Sequence, residues 1–252
     1  SRSFALIVDQ ESFAGRTQLL RNAVEGLLTA LTPADQIMIV ALPFGGVRVP
    51  FTSVAARIRM AITGLSGQGS VNETGSELAC RTRRFLESLD GFLRDQAPRQ
   101  SPLTVVLFTA GLAGPRRDAP MTLAPGMCEL LVNHFDRITA TAGAARANFF
   151  VLQPDDIGMS AAGWRGPIGG RGDLGSDNPL EGIEHLAGVT GGARLPLDAR
   201  GTGALLRVAT ESSAYYVAEL EPDRGEVFGR SRSLAVRIVR RGVTVRARPA
   251  LT

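Results

Sequence analysis

The chain has 252 residues, 44% of them hydrophobic and 21% charged, with a net charge of +4. That length can bury one substantial core, as one large domain or one domain with an appendage, and the balance is that of a soluble globular protein. No apolar run approaches the roughly 18 residues of a membrane-spanning helix, so membrane insertion by a helix is excluded.

All 28 basic residues are arginine. GC-rich codon usage accounts for such a bias as readily as a demand for guanidinium forks on phosphates and carboxylates. Residues 224–252 carry eight arginines against the single acid Glu226, a net of +7 that leaves −3 for residues 1–223. The basic character therefore belongs to the tail. There is no signal-peptide pattern, and a start almost on a strand leaves room for a leader or an upstream domain.

The elements alternate. Residues 3–9 predict a strand, and 16–31 a helix with Leu19, Leu20, Ala23, Val24, Leu27 and Leu28 at i, i+3/i+4 spacing. Thr32-Pro33-Ala34-Asp35 breaks that helix, and Gln36–Pro43 reads as a buried strand. Gly45-Gly46 signals a hairpin, with Val47–Thr52 returning as a short antiparallel strand. A short helix (55–65), a Gly/Ser loop (66–72) and a longer helix from about Ser76 to Leu93 follow. Leu103–Phe108 is the most strand-like run and belongs at the centre.

A loop (109–125), a helix (125–142) and a strand (148–153) come next. The glycine-rich loop 154–178 holds Arg171-Gly172-Asp173, an integrin-recognition tripeptide of a kind that arises often by chance. A helix (179–188), an edge strand (193–196) and a last helix (202–212) complete the alternation. Beyond it, 215–220, 231–240 and 243–248 alternate with period two. Leu234, Val236 and Ile238 share one face, and Arg237, Arg246 and Arg248 point to solvent or a partner. The fold class is α/β: a doubly wound, mostly parallel sheet with one antiparallel edge strand, followed by a C-terminal β appendage.

The first strand, Phe4-Ala5-Leu6-Ile7-Val8-Asp9, ends in a carboxylate at the carboxyl edge of the sheet, where open α/β folds bind ligands. With the strand–helix order, the hairpin and the loop positions over residues 3–213, it resembles a von Willebrand factor A (VWA) domain. The stretches 213–219 and 243–249 resemble the tails of VWA-related proteins of the acidobacterial type. The boundary this implies lies between a domain at 1–213 and an Arg-rich appendage at 214–252. The same resemblance implies an exported, bacterial, non-enzymatic protein-interaction module whose partner is another protein.

The resemblance also implies a cation site for Mg²⁺, Mn²⁺ or Ca²⁺, built from three loops. Asp9 occupies the acid position of the first loop. Glu11 and Phe13 stand where two serines are expected, and Ser12 lies between them. In the second loop Thr74 is the candidate ligand, flanked by Glu73 and Ser76. The third loop reads Thr109-Ala110-Gly111, with Ala110 where a carboxylate belongs. A hard cation demands near-octahedral oxygen ligation, so these replacements leave two readings. Either Asp9, Glu11, Ser12 and Thr74 form a variant site, or the site is vestigial and Asp9 accepts backbone or helix-capping bonds.

Glu11, Glu73 and Glu77 near Asp9 would make a negative patch suited to a cation or a basic partner. The binding face on this reading also includes Thr109, Ala110, Arg116 and Arg117. Cys80 and Cys128, near the starts of two helices at the same edge, form either a disulfide or two buried thiols. The two histidines, His134 and His185, read as helix-surface or packing residues. No nucleophile elbow, phosphate loop or metalloprotease motif is present, which argues against an enzyme. Nucleic-acid binding remains an alternative through Arg237, Arg240, Arg241, Arg246 and Arg248, although Phe228 is the only aromatic there to stack on bases.

Overall fold

Four strands form the middle of the molecule: β1 (Ser3–Asp9), β2 (Gln36–Leu42), β4 (Leu103–Phe108) and β5 (Ala147–Pro154). They are apolar on both faces because helices cover both faces, and nearly all their residues are buried. The edges are β3 (Gly46–Thr52), antiparallel to β2, and β6 (Ala193–Leu197), parallel to β5. The order β3-β2-β1-β4-β5-β6 is the mostly parallel sheet with one antiparallel edge strand that the alternation predicts. The computed structural model describes residues 1–12, 17–69, 73–99, 101–115, 128–154, 179–197, 201–215, 232–239, 241–243, 245–247 and 250–251.

Six helices accompany the sheet among these residues: α1 (Thr17–Ala30), α2 (Ala55–Thr63), α3 (Gly75–Gln96), α4 (Val132–Ala144), α5 (Pro179–Val189) and α6 (Thr202–Glu211). Strand alternation divides the core. Ala5, Ile7, Val40, Val105, Leu107 and Phe149 face α3, α4 and α5, where Phe85, Leu89, Phe135, Ile138 and Ile183 meet them. Phe4, Leu6, Ile39, Val106 and Phe150 face the other way, onto Val24 and Leu27 of α1, Ile58 of α2 and Leu205 of α6. Each such side chain, fully buried, contributes about 1.5–3 kcal/mol.

The chain runs β1 to β2 in one direction and later crosses to β4 on the other side of β1. The crevice at the carboxyl ends of β1 and β4 is thus the topological switch point of the sheet.

Two expectations need correction. The helix predicted over 125–142 begins only at Val132, and Cys128–Leu131 precede it without helical structure. Cys128 is bonded to Cys80 and Leu130 is buried, so this segment is held by its side chains before the helix starts. The tail also differs. Among the described tail residues only Arg232–Ser233 (β7) and Ala250–Leu251 (β8) pair, antiparallel to each other, and the others lie outside any strand. Period two makes one face apolar, but among the described residues no neighbouring strand covers it, and Val236, Ile238 and Val243 are exposed. Residues 216–220 and the loops at 116–127 and 155–178, with the Arg-Gly-Asp tripeptide, lie outside the described residues.

Candidate functional site at the switch point

Odd-numbered residues of β1 face α3, so Asp9 continues the row of Ala5 and Ile7 and emerges at the carboxyl edge on that side. Thr109 does the same one strand over, after Leu103, Val105 and Leu107. Both are fully buried, and the Thr109 hydroxyl donates to Asp9 Oδ2 at 2.8 Å. Ser12, on a 3₁₀ turn at Gln10–Ser12, bridges the two loops. Its hydroxyl donates to the Asp9 carbonyl at 2.8 Å and accepts the Ala110 N–H at 2.9 Å.

The residue that organises the site is Arg81, which sequence reasoning missed. It lies on α3 and its side chain is 5% exposed. Its Nη1 donates to Asp9 Oδ2 at 2.9 Å. Its Nε and Nη2 fork onto Glu73 at 2.7 and 3.0 Å, and Nη2 also donates to the Gly111 carbonyl at 3.0 Å. One guanidinium therefore joins the loops after β1, before α3 and after β4. A signal was present in the sequence: position 81 falls on the apolar stripe Leu78, Phe85, Leu89, Phe92, where an arginine is buried only with partners.

Burial pushes the Asp9 carboxyl up to about 6, against the opposing pull of Arg81 and Thr109. Burial also works against the charge on Arg81, but Asp9 and Glu73 outweigh it and raise its pKa. The second carboxylate oxygen, Asp9 Oδ1, is buried and accepts no hydrogen bond from the described residues.

The other candidates have different employment. Thr74 is the N-cap of α3, in a capping box with Glu77. Its backbone N–H and hydroxyl donate to Glu77 Oε2 at 2.7 and 2.8 Å, and the hydroxyl lies 3.3 Å from that of Ser76. These bonds from Thr74 hold the Glu77 carboxyl below its usual range. Glu11 pairs with Arg84 at 3.2 Å. Glu11 and Glu73 each have a counter-charge from α3, in Arg84 and Arg81, and Glu77 is bonded to Thr74.

These residues do not fit a divalent cation. A guanidinium already engages Asp9, the Thr74 hydroxyl is spent on its helix cap, and Ala110 has no side-chain oxygen. Among the described residues no group of three or more His, Cys, Asp or Glu side chains gathers to hold a metal.

Cys80, beside Arg81, is bonded to Cys128 with 4.9 Å between Cα atoms. Thr82 accepts the Ala113 N–H at 2.8 Å. Three consecutive residues of α3 therefore secure the surrounding segments. His134 accepts the Leu131 N–H at 3.1 Å at the start of α4, and His185 meets Phe135 edge-on at 4.7 Å between ring centroids. Of the tail arginines, Arg237 and Arg241 are exposed, whereas Arg246 is ion-paired with Glu211 of α6. Phe13, Arg116, Arg117, Arg240 and Arg248 lie outside the described residues. A shallow apolar depression sits at the same sheet edge but on the α1 side, lined by Val8, Leu20, Leu65, Phe108 and Leu197. Among the described residues its lining holds no ionisable group, and the Gln10 amide within it is bonded to the Ser66 carbonyl.

No family model matches the chain, and no curated protein matches it. Solved structures similar to it include the following two. A von Willebrand factor type A structure from Catenulispora acidiphila has 14% identity and a TM-score of 0.42, covering 84% of this chain and 41% of that one. The VWA domain of SpRpn10 has 9% identity and a TM-score of 0.41, covering 86% of this chain and 99% of that one. The chain thus spans 41% of the length of the Catenulispora structure.

Proposed function

We propose that this chain is a non-enzymatic protein-interaction module whose binding face is the carboxyl edge of the sheet and which works without a divalent cation. The observation that carries this reading is the guanidinium of Arg81 bonded to Asp9, Glu73 and Gly111. It fills the switch point and ties three loops to one side chain, with Asp9 Oδ1 the buried oxygen left without a donor among the described residues. Such an arrangement suits a platform that holds loops in place better than a centre that must bind and turn over a substrate. The groups presented outward there are Thr74, Glu77 and the Glu11–Arg84 pair. Export fits the same reading, since disulfides persist in oxidising compartments.

A photo-crosslinking residue placed at Ser76, and in a second protein at Arg237, tests the placement of the face. The expected result is a protein captured from Ser76, with an affinity equal in EDTA and in Mg²⁺ and weakened by Glu11→Arg. Capture from Arg237 alone, or binding that EDTA abolishes, overturns the proposal. The competing class is nucleic-acid binding through the exposed Arg237 and Arg241. It predicts anisotropy with labelled oligonucleotides that falls steeply with salt.

A further inference from the structure

Four protein oxygens from three separate segments close on one positive group. Asp9 Oδ2, both oxygens of Glu73 and the Gly111 carbonyl lie 2.7–3.0 Å from nitrogens of Arg81. Thr109 stands behind them, bonded to Asp9 Oδ2. Asp9 Oδ1 is a buried carboxylate oxygen with no hydrogen-bond donor among the described residues. Two carboxylates and a carbonyl make a hard-oxygen donor set, and they surround a group carrying a single charge. Asp9, fully buried, needs a positive group beside it whenever it is ionised, because a buried charge without its partner is strongly destabilising.

We propose that Arg81 is the resident cation of this site, tethered through α3, and that removing its side chain converts the same oxygens into a divalent-cation site. This deepens the cation-independence proposed above and rests on that reading. The tether explains why no exchangeable ion is needed. Arg81 is carried on a 22-residue helix that a capping box starts and a disulfide anchors, so its charge is delivered by folding itself. A guanidinium also reads direction: its fork meets Glu73 with two nitrogens and leaves the third for Asp9.

The test is Mn²⁺ binding to the whole chain, followed by electron paramagnetic resonance and by thermal melts with and without EDTA. It is run at about pH 8, which is above the wild-type Asp9 carboxyl's value of about 6 and favours cation over proton at the carboxylates. The wild type is expected to leave Mn²⁺ free. Arg81→Ala is expected to bind it with a Kd of about 0.1–1 mM, the range of weak oxygen sites, and to melt higher in Mn²⁺ than in EDTA. Asp9→Asn in the Arg81→Ala background is expected to abolish both effects, which locates the ion. An Arg81→Ala chain that does not fold in EDTA but folds in Mn²⁺ supports the proposal equally.

An Arg81→Ala chain that folds and ignores Mn²⁺, or that Mn²⁺ fails to fold, overturns it while leaving the interaction face untouched. Mn²⁺ bound by the wild type through Asp9 overturns the cation-independence as well. Failure of the crosslinking at Ser76 with these metal results intact overturns only the interaction face.

Discussion

Asp9 and Asp35 are both buried and both paired with arginine, yet burial and pairing leave them with opposite pKa directions. Asp35 accepts from the Arg2 backbone, Nε and Nη2 and from the Thr32 N–H and hydroxyl. These bonds, the Arg2 side chain foremost, hold its carboxyl well below the usual 3.8. Asp9 has fewer donors, and burial dominates, raising it to about 6. An acid raised on folding takes its proton more readily folded than unfolded. Its contribution to stability is fully present below about pH 4 and is lost as pH rises through 6, a change of about 3 kcal/mol. A lowered acid contributes above its unfolded pKa and loses that contribution as pH falls.

Urea denaturation at pH 4 and pH 7 should therefore separate the two. The stability advantage of the wild type over Asp9→Asn grows between pH 7 and pH 4, whereas its advantage over Asp35→Asn holds across that range and shrinks only below about pH 4. An advantage over Asp9→Asn that shrinks in acid would mean that Arg81 outweighs burial at this carboxylate.

At the scale of elements, α5 approaches the loop after β4 closely enough to exchange backbone bonds with it. The Leu112 N–H donates to the Pro179 carbonyl at 2.9 Å and the Gly182 N–H to the Leu112 carbonyl at 3.1 Å. A Cβ on Gly182 would stand 2.2 Å from the Ala113 carbonyl oxygen, so one backbone would have to retreat. Gly91 in α3 has open space around its Cβ position. Thermal melts should show Gly182→Ala destabilised by about 1–3 kcal/mol and Gly91→Ala stabilised by up to about 1 kcal/mol. A neutral Gly182→Ala would show that the loop after β4 gives way freely, contrary to its bonds with α3 and α5.

The tail is tied to the last helix through Arg246 and Glu211, which Arg207 of α6 also grips. Glu211→Gln should speed tryptic cleavage after the exposed Arg237 and Arg241. Unchanged cleavage would mean that other contacts hold the tail. The alternating pattern there is visible in the sequence. A strand needs a neighbour as well as a pattern, and among the described residues only β7 and β8 find one.

For the whole molecule, the disulfide between Cys80 and Cys128 closes a stretch of 48 residues. On the chain-entropy account it stabilises by about 4 kcal/mol. At about 2–4 °C per kcal/mol for a chain of this size, Cys80→Ser with Cys128→Ser should melt roughly 10 °C lower. Melts of the oxidised and reduced wild type should differ by the same amount. Equal melting temperatures would mean that Arg81 and Thr82 secure the edge without the cross-link.

The sequence by itself determined the layered α/β fold, because apolar runs bounded by Gly and Pro and helices of period 3.6 are local patterns. It also placed Asp9 and Thr109 at strand ends, since alternation along β1 and β4 assigns each residue a face. Only the tertiary structure decided what meets Asp9 there. Arg81 is 72 positions away in sequence, and its partners come from a strand end, a helix start and a distant loop. The choice between a metal, a backbone donor and a guanidinium for a buried carboxylate is made by which side chain the packing of α3 against the sheet delivers. The apolar stripe of α3 carried the trace of that choice as a single arginine, and charge neutralisation in a dry interior gave it its place.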